Sequence, residues 1–198
     1  MNLPNKLTML RMALIPFFLV FMVSYTIPYN YFFALVIFAG ASITDYLDGS
    51  IARKRGLVTN FGKFMDPLAD KLLTMAAMVC LVKTHYDVYI PAVVLILILA
   101  REFAVTALRT LAADNGVVIA ADRWGKIKTV AQMVWICYSL LLLGYLNYRN
   151  PLYVSFHYVG EPWMLYLYWG GMAVVVIATV GSGINYLWKN RQLFMSSK

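Results

Sequence analysis

Long apolar runs, interrupted by short polar turns, divide the chain into segments of membrane-spanning length. Residues 2–11 are polar and apolar by turns, with Leu3, Leu7 and Leu10 at helical spacing and Pro4 suited to a first turn. This pattern predicts a short helix lying in the membrane interface. A first span follows over residues 12–27 and stops at Pro28-Tyr29-Asn30. The second covers residues 31–53, before the charged turn Lys54-Arg55-Gly56, and the third begins near residues 60–62 and runs to 82. A fourth, over 89–111, contains AVVLILILA and continues through Arg101 and Glu102. The fifth and sixth cover 125–146 and 162–188. The predicted fold is all-α: an integral membrane protein of six transmembrane helices with a short N-terminal interfacial helix, in one domain over residues 1–198.

Composition agrees with that reading. A hydrophobic content of 62% and a mean hydropathy of +0.69 exceed those of an ordinary soluble domain. The formal charge is +8, from 17 Lys and Arg against 9 Asp and Glu. Because the bases lie between apolar segments, an anionic leaflet or phosphorylated substrates account for them better than nucleic acid does. Six spans put Lys6, Arg11, Arg53, Lys54, Arg55, Lys63, Lys71, Arg101, Arg109, Arg123, Lys126, Lys128, Lys189, Arg191 and Lys198 on one side, leaving only Lys83 and Arg149 opposite. The positive-inside rule therefore places the termini and the 54–61 and 112–124 loops in the cytoplasm, with the cell membrane as the site of residence. The apolar stretch 12–23 has no small-x-small exit site and reads as an uncleaved first helix; the lack of a transit peptide leans bacterial. Cys80 and Cys137 have no CxxC or His companion and read as packed spectators. His85 and His157 fall outside and have no second ligand at metal spacing. Small residues in the last span (Gly170, Gly171, Ala173, Ala178, Gly181, Gly183) permit close helix packing, within the chain or between subunits.

One stretch carries the chemistry: DYLDGSIARKRGLVTNFGKFMDPLAD, residues 45–70. Asp45 and Asp48 are three residues apart, Asp66 and Asp70 four apart, so each pair shares a helix face. At ~100° per residue, Asp45, Asp48, Gly49, Ala52 and Arg53 span an arc of about 140°, and Gly62, Asp66 and Asp70 one of about 80°. The first pair ends one span and the second begins the next, so all four acids occupy one shallow layer at the cytoplasmic side. A carboxylate at the middle of a spanning helix costs about 2.5–3.5 kcal/mol, and clustered acids also repel. Arg53, Lys63 and Lys71 could offset part of this by ion pairing. Bound cations explain the gathering better, and ligands that are all oxygen favour a hard ion, Mg²⁺ or Mn²⁺. Carboxylate-held metal beside Lys and Arg suggests phosphate chemistry, with two ions clamping the phosphoryl centre and a free carboxylate accepting a proton. No Walker loop, kinase signature or Rossmann glycine run is present.

The spacing DxxDGxxAR, eight residues, then GxxxDxxxD resembles the signature of the CDP-alcohol phosphatidyltransferases. It is met at Asp45, Asp48, Gly49, Ala52, Arg53, Gly62, Asp66 and Asp70. The resemblance implies that a CDP-linked lipid gives its phosphatidyl group to an alcohol and loses CMP. It also implies that Asp45, Asp48 and Asp66 carry most of the metal contacts, while Asp70 touches a metal and acts as general base. Gly49 and Ala52, with Gly62, would leave room for the cytidine, Asp48 would face the CDP-lipid, and Arg53 would meet the diphosphate. The opening LPNKLTMLR resembles the family's start, which would put Asn5 and Thr8 at the nucleotide; an amphipathic anchor with capping residues is the plainer account. The family usually forms homodimers.

Arg101-Glu102, Arg109 and the run Gly125-Lys126-Ile127-Lys128-Thr129 resemble the branch of that family that makes phosphatidylglycerol phosphate, whose acceptor is glycerol 3-phosphate. Arg101, Arg109, Arg123, Lys126 and Lys128 would meet the acceptor's phosphate, although the positive-inside rule alone also places bases there. Glu102 reads as orienting a neighbouring base. On this reading CDP-diacylglycerol, glycerol 3-phosphate and membrane lipids are the partners, and nucleic acid is not. Rival readings are an inositol phosphate or phosphatidylglycerol acceptor, and a divalent-cation transporter. A transporter would spread its acids through the membrane depth, whereas these crowd at one end.

Overall fold

The computed structural model describes residues 3–24, 26–55, 60–84, 86–114, 123–149 and 161–191, and their side chains except at 3–5, 45–55, 60–64, 66, 67, 70, 114 and 123. The described residues form six helices: α1 (Leu3–Val23), α2 (Asn30–Arg55), α3 (Asn60–Cys80), α4 (Ala92–Asp114), α5 (Arg123–Arg149) and α6 (Pro162–Lys189). No strand occurs among the described residues. The expected interfacial helix and first span are one uninterrupted helix, α1. Nothing between Arg11 and Met12 breaks a helix, and Pro16 lies inside α1 without ending it, as spanning helices tolerate.

Among the described residues three helices are long and apolar enough to cross a membrane by composition: Lys6–Val23, Trp124–Arg149 and Pro162–Lys189. Charges interrupt the rest. Arg101, Glu102 and Arg109 sit within α4, and the acids leave α2 and α3 with the shorter apolar stretches Asn30–Thr44 and Lys71–Cys80. Large apolar side chains stand outward on the helices, among them Phe17, Val36, Val93, Val134, Tyr166 and Ile177. Such a surface belongs in hydrocarbon, and the chain is a membrane protein. His85 and His157 lie outside the described residues.

The chain forms two compact units, Met1–Tyr89 with Ile136–Glu161, and Ile90–Trp135 with Pro162–Lys198. In the first, α1 packs on both α2 and α3, and α2 also touches α3. A single buried side chain ties this unit together at the α1–α2 turn. Asn30 is fully buried. Its Nδ2 donates to the carbonyls of Phe21 and Ser24, each at 3.0 Å. Its Oδ1 accepts from Asn147 Nδ2 of α5 at 3.0 Å. Tyr29 just before it takes a left-handed backbone (φ 56°), a conformation that costs a non-glycine residue about 1 kcal/mol or more. Its ring stacks on Tyr148 at 6.1 Å.

In the second unit α4 and α6 pack together. Trp135 Nε1 donates to the Tyr168 carbonyl at 3.0 Å, and their rings lie 5.3 Å apart. Gly171 makes this possible, because a Cβ there would come within 2.8 Å of Trp135 Cδ1. Two of the small residues of the last span thus serve contacts inside the chain, Gly171 here and Gly183 below, whereas Gly170 and Gly181 face open space.

Asn30→Ala removes three hydrogen bonds and leaves two carbonyls and an amide without them. It should cost about 2–3 kcal/mol of stability, at roughly 1 kcal/mol per bond in a membrane protein. Unfolding in mixed micelles would measure this, with Asn147→Ala losing less than half as much. Equal stability of Asn30→Ala and the parent would show that the turn does not depend on this side chain.

Candidate active site

Helix boundaries put the acids where the sequence expects them. Asp45 and Asp48 fall in the C-terminal half of α2, and Asp66 and Asp70 in the N-terminal half of α3, on either side of the connection between these helices. The side chains of Asp45, Asp48, Gly49, Ala52, Arg53, Gly62, Asp66, Asp70, Asn5 and Arg123 lie outside the described residues. Among the described residues no group of three or more His, Cys, Asp or Glu could hold a metal ion. Two carboxylates per helix face, all oxygen donors, have the chemistry of a hard divalent cation's ligands.

α1 presents two polar side chains to the interior of the first unit. Thr8 is buried, and so is Arg11 one turn on, at 3% exposure. The i, i+3 spacing puts them on one face. By sequence Arg11 reads only as a positive-inside charge, and its spacing from Thr8 sets the face they share but not that this face is buried. Further along, α1 and α3 border an apolar groove of about 510 Å³, lined by Met12, Ile15, Pro16 and Leu19 on one side and Leu72, Met75, Ala76 and Val79 on the other. The groove begins two residues after Asp70 in the chain.

The second unit gathers the bases around Glu102. Its Oε1 accepts from Arg101 Nη1 at 2.8 Å and from Lys128 Nζ at 2.5 Å. One carboxylate oxygen therefore holds two cations, and the trio keeps a net positive charge. Lys128 is only 2% exposed and Arg101 14%. Long basic stems can be buried in this way only if the charged ends find a counter-charge. Glu102 thus orients bases, as its place beside Arg101 suggested. Arg101 is also hemmed in by two glycines. A Cβ at Gly183 would come 3.0 Å from Arg101 Cγ, and one at Gly125 would come 3.6 Å from Nη2. Its Nε is buried without a hydrogen-bond partner, a donor turned to an anion or to nothing.

Arg109 is exposed apart from its Nε, which donates to Tyr186 Oη at 3.0 Å. Lys126 is exposed. Of the expected phosphate-binding residues, the structure brings Arg101 and Lys128 onto one carboxylate and sets Arg109 of α4 against Tyr186 of α6. Tyr186 and Gly183 were missed by sequence reasoning, because nothing in their local pattern separates them from other packing residues of an apolar helix.

A family profile described as CDP-alcohol phosphatidyltransferase matches residues 1–181. The chain belongs to this family. It is similar to a Bacillus subtilis (strain 168) protein named CDP-diacylglycerol–glycerol-3-phosphate 3-phosphatidyltransferase, with 43% identity over 99% of this chain and 98% of that one. Proteins of the same name from Haemophilus influenzae and Escherichia coli K12 are 37% and 44% identical. The first alignment covers 94% of this chain and 91% of the relative, the second 70% and 76%. As a CDP-alcohol phosphatidyltransferase the chain is an enzyme, and the four aspartates coincide with the pattern that first suggested the family.

In this phosphatidyltransferase Glu102→Gln would remove the carboxylate charge that buried Lys128 meets through Nζ, at a cost of about 3 kcal/mol. Thermal unfolding in detergent should show the loss, and adding Lys128→Met should restore most of it. An unchanged midpoint in Glu102→Gln would mean that the ion pair contributes nothing to folding.

Proposed function

We propose that the chain transfers the phosphatidyl group of CDP-diacylglycerol to glycerol 3-phosphate, releasing CMP and forming phosphatidylglycerol phosphate. The near full-length kinship with the Bacillus subtilis protein of that name carries this reading. All six helices span the cell membrane as one domain over residues 1–198, and the site faces the cytoplasm, in line with the count of positive charges. Asp45, Asp48 and Asp66, with Asp70, hold two divalent ions, Mg²⁺ or Mn²⁺. When bound, these ions offset the charge that develops on the diphosphate. Asn5, Thr8, Asp48, Gly49, Ala52, Arg53 and Gly62 receive the CDP moiety. Arg101, Arg109, Arg123, Lys126 and Lys128 bind the phosphate of the acceptor. The unit works as a homodimer.

Asp70 takes the proton of the 1-hydroxyl of glycerol 3-phosphate. The oxygen so freed forms a bond to the lipid-side phosphorus, the bond to the bridging oxygen breaks, and that oxygen leaves with CMP. The apolar groove between α1 and α3 holds an acyl chain of the lipid, since both of its walls continue from residues assigned to the CDP moiety or the metals: Thr8 stands one turn before Met12 and Asp70 two residues before Leu72.

Purified enzyme in mixed micelles with labelled CDP-diacylglycerol should make labelled phosphatidylglycerol phosphate from glycerol 3-phosphate. Serine, inositol phosphate or phosphatidylglycerol should not substitute, and a better rate with one of them would replace the acceptor. Asp70→Asn should bind CDP-diacylglycerol with near-parental affinity yet lose about a hundredfold or more in kcat; full turnover would remove it from the base role. Ala76→Phe, which fills the groove, should raise the KM for long-chain CDP-diacylglycerol severalfold and leave that of a dihexanoyl analogue unchanged. Equal changes for both lipids would place the acyl chains elsewhere.

A further inference from the structure

The face of α6 turned inward carries Thr179, Ser182, Gly183 and Tyr186, all buried, and it meets two arginines of α4. Gly183 accommodates the stem of Arg101. Tyr186, 4% exposed, packs with Val105 and Leu108 and reaches Arg109 in two ways. Its hydroxyl accepts from Arg109 Nε at 3.0 Å, and its ring lies 5.4 Å from the guanidinium carbon. Two other arginines lie over aromatic rings, Arg149 over Tyr145 and Arg191 over Trp188. Each of those rings is within four residues of its arginine, and no hydrogen bond between the two side chains joins either pair. The Arg109–Tyr186 contact crosses 77 positions of sequence and ties two helices.

The geometry decides which edge of Arg109 remains available. A guanidinium meets a phosphate either side-on, through Nε and one Nη, or end-on, through both Nη groups. Tyr186 occupies Nε, and neither Nη has a partner among the described residues. The end-on edge is the one left. An arginine free to rotate loses side-chain entropy when it is fixed, and a tyrosine that has already oriented it reduces that cost on binding.

We propose that Tyr186 is a positioning residue for acceptor recognition: it holds Arg109 so that its two Nη groups meet the phosphate of the acceptor end-on. This rests on the acceptor role proposed for Arg109 above. Neither the signature residues nor the names of the relatives assign any part to α6.

Tyr186→Phe keeps the ring and its packing and removes only the hydroxyl. The KM for glycerol 3-phosphate should rise roughly three- to tenfold, the worth of one ordinary hydrogen bond, with kcat and the KM for CDP-diacylglycerol within twofold of the parent. In Arg109→Lys, which has no Nε to hold, the KM should rise as well, and adding Tyr186→Phe should then change it by less than twofold. Three results would overturn the inference: no change in the acceptor KM of Tyr186→Phe, equal changes in both KM values, or full additivity with Arg109→Lys. The parent's activity with glycerol 3-phosphate tests the proposed reaction separately, and Arg109→Ala tests the acceptor role. A raised KM in Arg109→Ala with none in Tyr186→Phe would sink the positioning role alone.

Discussion

Polar groups placed inside apolar helices have to find one another, and the fold is organised by where they do. Hydrocarbon offers no water to replace a lost partner, so each buried charge or amide commits a helix to a neighbour. Glu102 is the strongest case. Its carboxylate accepts Lys128 from α5 and Arg101 from its own helix on one oxygen, and this counter-charge offsets part of the cost of burying Lys128. Asn30 has the same part in the first unit without charge. It closes the α1–α2 turn and takes the amide of Asn147.

Small residues set how near those partners can come. At two of the glycines of α6 a large side chain from another helix lies against its backbone: Trp135 at Gly171 and Arg101 at Gly183. The benefit differs at the two places. At Gly171 it brings an indole N–H to a carbonyl and an aromatic pair together. At Gly183 it seats the stem of an arginine whose head is held by Glu102. A helix that reads as plain apolar packing thereby shapes a basic cluster, and its Tyr186 extends that influence to Arg109.

The enzyme's reactive inventory divides by chemistry between two parts of the chain. The acids and the residues proposed to receive the CDP moiety belong to α1, α2 and α3. The bases that suit a phosphorylated acceptor belong to α4 and α5, with their seats on α6. A transferase joining an activated lipid to a small phosphorylated alcohol needs both kinds of group, because one substrate brings a diphosphate that metals neutralise and the other a phosphate that arginine and lysine bind.

Periodicity and spacing were enough to locate six helices and the acid pairs on α2 and α3, while the family came from the resemblance of Asp45 to Asp70 to a known signature. These are local properties: a helix repeats every ~3.6 residues, so residues three or four apart must share a face. The same logic failed at the N-terminus, where a change from mixed to apolar composition suggested two elements and α1 runs through as one, since polarity alone does not break a backbone. It was also silent on which face of one helix meets which face of another. That Lys128 shares an oxygen with Arg101, that Arg11 is buried, and that Tyr186 grips Arg109 from 77 positions away follow from packing between helices. Side-chain volume and the matching of buried charge settle such contacts, and neither leaves a repeat in the sequence.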